Sequence, residues 1–202
     1  MTCTARSLVA APTTAAGTGV VRHLITAVVA SAMDRDDRLR VALLDASHGD
    51  THTRRNFRRE LDADLVELDV TEGDCPDGFG FDAIVVTGSR ASVYWDESWI
   101  GQLIDYVGAA HDRGVPILGV CYGHQILAAA LGGRVESMGE YEIGYREITR
   151  TADDDLFAGV PETFTAFTTH SDVVADLPPD AELLAENDFG VHAFRRDRAW
   201  GV

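Results

Sequence analysis

The sequence predicts an α/β fold: a mostly parallel central sheet with helices packed on both faces. Three observations predict it. Strand-length apolar runs recur through residues 39–120 and are continuous rather than alternating, the pattern of strands buried on both faces. Segments of helical character separate these runs, so strands and helices alternate along the chain. Short Gly- and Pro-containing loops mark the changeovers, and 202 residues are enough for one well-buried core.

The elements follow in order. Residues 39–45 form the first apolar run, and the Arg-rich segment 53–61 has helical character before the next run at 65–70. Cys75-Pro76-Asp77-Gly78 supplies a loop, after which the β-branched run 82–86 is stopped by Thr87-Gly88-Ser89. Ser98 is the expected N-cap of a helix that runs to Arg113 and ends at Gly114. Residues 116–120 read as a fourth short buried strand, and 123–131 as a helix closed by Gly132-Gly133. Beyond it, residues 134–149 and 163–169 read as shorter, partly antiparallel strands, with loops at 153–155 and at Pro178-Pro179-Asp180. No repeat or linker divides residues 39–202, which are expected to be one domain.

Residues 1–38 differ in kind, with no acidic side chain before Asp34. They read as an extension ahead of the domain, either disordered or the product of an upstream start whose true first residue is Met33. Arg22 and His23 interrupt the apolar stretch and argue against a secretory signal.

Charge narrows the function classes. Asp and Glu total 33 against 17 basic residues, every one of them Arg, for a formal net charge of −16. Nucleic acid and anionic membrane are therefore excluded as partners, since both are bound through basic patches. Self-repulsion at −16 is screened in concentrated salt, and the absence of Lys with this acidity points to a halophilic, salt-accumulating source. Cys3, Cys75 and Cys121 show no CxxC or Cys/His spacing, so no metal or other cofactor is expected, and the compartment is read as the reducing cytoplasm. The cluster Arg54, Arg55, Arg58 and Arg59 has the spacing of a solvated helix face. His48, His52, His111 and His192 carry no usable signal.

The chemistry concentrates in Gly119-Val120-Cys121-Tyr122-Gly123-His124-Gln125, where a buried strand turns directly into a helix. Small residues on each side permit a sharp, strained turn that lifts Cys121 above the sheet edge. The free N–H groups of the helix N-terminus are expected to depress the thiol pKa and to hold an adjacent oxyanion. His124, on the first helical turn, is expected to be structural or pocket-lining.

This run closely resembles the nucleophile motif of class I, triad-type glutamine amidotransferases. Residues 85–94 (VVTGSRASVY) look like the oxyanion loop of the GMP synthase amidotransferase part, and Glu142-Ile143-Gly144 and residues 169–174 (THSDVV) follow in the family's order. The resemblance covers residues 39–202 and implies a flavodoxin-like three-layer α/β/α fold. It implies that Cys121 attacks the side-chain amide of glutamine, releasing ammonia through a γ-glutamyl thioester. It also implies an oxyanion hole from Gly88, Ser89 and Tyr122, and a glutamine pocket from Gln125, His170, Ser171 and Asp172. Where GMP synthase loops usually read Gly-Gly-Pro, this chain has Gly88-Ser89-Arg90, which costs energy if the Ser89 position requires positive φ. The implied partners are glutamine or a γ-glutamyl substrate and an ammonia-accepting synthetase subunit. A γ-glutamyl peptide hydrolase is the alternative enzyme.

The family draws its general base and the carboxylate that orients it from a later His-Pro-Glu, which these 202 residues do not contain. The expectation is a chain interrupted just before that motif, with its last strand left at an exposed sheet edge, or else a catalytically dead binding or regulatory module. His170 is the one in-chain candidate to replace the base.

Overall fold

The computed structural model describes residues 38–202. The reading of residues 1–38 as an extension therefore falls, Arg38 apart, outside the described residues. Five strands form the parallel half of the sheet: β1 (Arg40–Asp45), β2 (Asp64–Asp69), β3 (Ala83–Val86), β4 (Ile117–Gly119) and β9 (Ala199–Gly201). Four antiparallel strands continue it: β5 (Arg134–Arg150), β6 (Thr163–Asp176), β7 (Glu182–Asn187) and β8 (Gly190–Arg196). The order across the nine-stranded sheet is β2-β1-β3-β4-β9-β8-β7-β5-β6. This is a mixed α/β fold of the flavodoxin-like kind.

Alternation along the strands separates two apolar layers. Ala42, Leu44, Ile84 and Val86 face α2 (Ser98–Asp112) and α3 (Tyr122–Ala130), which bury Leu103, Val107, Ile126 and Leu127 against them. Val41, Leu43, Ala83 and Val85 face the other way. There they meet Phe57 of α1 (Thr51–Glu60), Leu61, and a 3₁₀ turn (Asp155–Phe157) that contributes Leu156 and Phe157. No described helix is long and apolar enough to cross a membrane.

The structure revises four expectations. Ser98 is the first residue of α2, not its cap; Glu97 is the cap residue and its side chain bonds Trp99 Nε1 instead of the helix backbone. β5 and β6, with 17 and 14 residues, are long rather than short, because they pair almost end to end as a bulged ribbon that needs only one sheltered face. β9 lies between β4 and β8, so the last strand is internal and the sheet edges are β2 and β6. Of the arginines of α1, Arg55, Arg58 and Arg59 are exposed as expected, with Arg58 reaching Glu67 at 2.5 Å and Arg59 reaching Glu60 at 2.6 Å, whereas Arg54 is drawn in to Asp45 and Asp69. Arg54 thereby ties α1 to the C-terminal ends of β1 and β2. Burial pushes the Asp45 carboxyl up, but hydrogen bonds from Ser47 and Arg54 outweigh it and hold the group below its ordinary pKa.

Candidate active site

β4 ends at Gly119 and α3 begins at Tyr122, so Val120 and Cys121 alone make the turn. Cys121 sits at φ 57° and ψ −106°, a sparsely populated conformation that costs a non-glycine residue roughly 1–3 kcal/mol. Two glycines make the turn fit. A Cβ on Gly119 would lie 2.2 Å from the Gly123 carbonyl oxygen, and one on Gly123 would lie 2.3 Å from that of Val86. Hydrogen bonds lock the turn: Cys121 N donates to Val202 O at 2.7 Å, Val202 N to Gly119 O at 2.9 Å, and Val120 N to Val86 O at 3.0 Å. The expected elbow is thus present, and Val202 is bonded directly to it.

The loop after β3 meets the elbow. A Cβ on Gly88 would stand 3.6 Å from Cys121 Cβ and 3.8 Å from its Sγ, so this backbone lies against the thiol. Ser89 is not among the positive-φ residues, and its place in the loop carries no left-handed strain. Its Oγ accepts the Ala91 N–H at 3.1 Å, fixing the loop's course.

The thiol pKa differs from expectation. Cys121 opens onto a cavity, yet desolvation by the surrounding walls pushes its thiol above the ordinary value, and the Tyr122 N–H aimed at the sulfur offsets only part of this. Helix N-terminal placement alone does not depress it, because desolvation at the cavity that Cys121 lines opposes the charged form.

Two cavities meet over the elbow, of about 260 Å³ and 320 Å³. Cys121 lines the first, Ser89, Tyr122 and Ser171 the second, and Gln125, His170 and Asp172 line both. The antiparallel ribbon supplies the shared wall. The Asp172 carbonyl accepts from Gln125 Nε2 at 3.3 Å and from His170 Nδ1 at 3.0 Å, while Asp172 Oδ1 accepts from Tyr94 OH at 3.1 Å. All the residues predicted from sequence are therefore brought to one place.

His170, the in-chain candidate for the base, has its ring turned to other partners. Nε2 lies 2.5 Å from Glu142 Oε2 and Nδ1 is bonded to Asp172 O, so both ring nitrogens are engaged away from sulfur. Among the described residues no hydrogen bond joins Cys121 Sγ to an imidazole. His124 is pocket-lining, as expected: its buried ring packs 5.0 Å from that of Phe194, and burial lowers its pKa to about 3.

Sequence reasoning missed several residues here. Glu142 is fully buried at the centre of a polar cluster, with His170 on one oxygen and Asn187 Nδ2 donating to the other at 2.6 Å. His192 Nε2 approaches the same carboxylate at 3.3 Å. The Glu142-Ile143-Gly144 motif flagged the first of these; His192 and Asn187 had no signal, since only strand pairing brings β8 and β7 to β5.

The comparisons agree with this geometry. GMP synthase (glutamine-hydrolysing) of Thermomicrobium roseum is 38% identical over 120 residues, 59% of this chain and 22% of that protein. The same enzyme of Staphylococcus aureus is 35% identical over 122 residues, 59% of this chain and 23% of that one. The chain thus matches less than a quarter of the length of these relatives. A solved glutamine amidotransferase of Thermotoga maritima superposes with a TM-score of 0.71 at 22% identity, covering 82% of this chain and 75% of that one. One from Methylobacillus flagellatus gives 0.66 at 22%, covering 81% and 68%, and both show the shared fold. The family model "Glutamine amidotransferase class-I" matches residues 47–202, a span that runs from just after β1 through the loop after β3, the elbow and the ribbon. With its strained cysteine elbow set in that fold, this chain belongs to the class-I glutamine amidotransferase family.

Proposed function

We propose that this domain hydrolyses glutamine through Cys121 and delivers the ammonia to an acceptor synthetase of the GMP synthase kind. The Cys121 thiolate attacks the side-chain carboxamide carbon. N–H groups of Tyr122 and of the Gly88-Ser89 loop stabilise the resulting oxyanion. Collapse expels the amide nitrogen, which takes up a proton and leaves as ammonia, and water then cleaves the γ-glutamyl thioester to glutamate and free thiol. Gln125, Ser171 and Asp172 hold the amino-acid end of the substrate, with His170 fixing the Asp172 segment through its carbonyl. The carrying observation is the elbow itself: a cysteine held at positive φ between two obligatory glycines, with Gly88 so near that a Cβ added there would lie 3.8 Å from the sulfur. Cys75 and Cys121 are both free thiols, in keeping with a reducing cytoplasmic setting.

A glutamine-mimicking electrophile tests the reading, because alkylation requires the nucleophile and pocket but not the full hydrolytic machinery. Peptide mass mapping should find Cys121 modified first, with free glutamine protecting it. Faster modification of Cys75, or no protection by glutamine, would overturn the assignment, and protection by γ-glutamyl peptides but not by glutamine would replace it with a peptide hydrolase. Joining a continuation that carries His-Pro-Glu after Val202, whose backbone already bonds the elbow, should raise glutamine turnover about 10²–10⁴-fold. Cys121→Ala should abolish that gain.

A further inference from the structure

We propose that Glu142, His170 and His192 form a binding site for a divalent transition-metal ion of the Zn²⁺ class, open toward the Cys121 cavity. One carboxylate oxygen and two imidazole nitrogens, each from a different strand, come within 4.8 Å of one another. Two imidazoles with one carboxylate are a donor set suited to Zn²⁺, Co²⁺ or Fe²⁺ rather than to Ca²⁺ or Mg²⁺.

Hydrogen bonding prepares the ligands. The Asp172 carbonyl can only accept, so the His170 Nδ1 that faces it at 3.0 Å carries hydrogen and Nε2 is turned to Glu142 Oε2. The 2.5 Å contact between that nitrogen and the carboxylate oxygen requires a positive centre between or beside the two atoms, a proton or, in its place, a metal ion. His192 Nε2, 3.3 Å from the same oxygen, is buried and has no hydrogen-bond partner. Two imidazole nitrogens and a carboxylate oxygen thus converge where a single metal ion, displacing a proton, could take them all with small side-chain adjustments. Outer contacts have the form usual for metal ligands: His170 Nδ1–H to a backbone carbonyl, and Asn187 Nδ2 to the second carboxylate oxygen at 2.6 Å. Glu142 is fully buried, whereas His170 and His192 line the cavity that Cys121 lines, so the unfilled coordination position opens to that cavity.

The test uses the whole chain with Zn²⁺ and Co²⁺ alone, and its readout is binding, so it stands whether or not glutamine is hydrolysed. Calorimetry should give one Zn²⁺ per chain, and Co²⁺ should develop the visible bands of a low-coordinate ion. His192→Gln should weaken binding more than about 100-fold, beyond the loss expected for an outer-shell partner. In the unaltered chain, Zn²⁺ should protect His170 and His192 from acylation by diethylpyrocarbonate, a readout independent of how any variant folds. Cys121→Ala and the double variant His48→Ala/His52→Ala should leave binding within a few-fold. No stoichiometric binding, no protection of His192, or loss of binding in either control variant would overturn the proposal.

Discussion

Strands β1, β3 and β4 of the parallel half are almost wholly buried and mostly apolar, while the antiparallel half carries polar chemistry on a mostly exposed ribbon. In β1 every residue after Arg40 is buried, and β3 and β4 are buried throughout. Of the seventeen residues of β5, only Glu142 and Ile148 are buried, and Tyr141, Ile143 and Tyr145 stand open to solvent. The two halves hold the site differently. The first positions Cys121 by backbone geometry: glycines with no room for a Cβ, and a turn locked by main-chain hydrogen bonds. The second positions polar side chains through one another, Glu142 with His170 and Asn187, and Asp172 with Gln125 and Tyr94. A backbone device tolerates no added atom, whereas a side-chain network depends on each partner's charge and donor pattern.

Substitutions at matched positions sharpen this contrast most. Leu44→Ala, in the fully buried β1, should cost about 3 kcal/mol, whereas Ile143→Ala, on the exposed face of β5, should stay within about 0.5 kcal/mol. Urea unfolding of the two variants measures both, and equal costs would erase the distinction. Gly123→Ala should cost about 1–3 kcal/mol by forcing the Val86 carbonyl away, against a near-neutral Gly80→Ala, where an added Cβ meets nothing within 4 Å.

Acid probes the seam between α1 and the parallel strands. Asp45 has a lowered pKa in the folded chain, so its stabilisation is fully present above the unfolded carboxyl value of about 3.9 and is lost as pH falls through the lower folded value. Between pH 5 and pH 3 the native chain should lose more stability than Asp45→Asn does, as measured by unfolding midpoints. Parallel slopes for the two would deny Asp45 that role. Salt should act on the whole surface and most weakly. With a net charge of −16, the melting temperature should rise from dilute buffer to molar KCl by at least about 2–4 °C, equivalent to about 1 kcal/mol for a domain of this size. A flat profile would remove the halophilic reading.

The legibility of the sequence follows the same division. Strands β1, β3 and β4 and helix α3 were readable because burial on both faces requires continuous apolar runs, and because a strand-to-helix turn this tight demands Gly119 and Gly123 at fixed spacing. β7 and β8 were not read, and the ribbon was read too short, because a strand sheltered on one side mixes apolar, charged and small residues without a strong period. The cap of α2 was misplaced by one residue, since Glu97 bonds the Trp99 ring rather than the helix backbone. Arg54 read as solvated because its partners, Asp45 and Asp69, lie at the ends of two separate strands.

By itself the sequence determined the alternating frame and the placement of Cys121 at a strand-to-helix elbow, since both rest on local requirements: burial period, turn sterics and the strand-to-helix junction. Tertiary structure decided which groups surround that cysteine. Pairing of β5 with β6, and of β8 with β7 and β9, gathers Glu142, His170 and His192 within 4.8 Å, and desolvation by those same walls raises the Cys121 pKa against the pull of its helix. Contacts between residues distant in sequence, and the dielectric they create, exist only once the strands are paired.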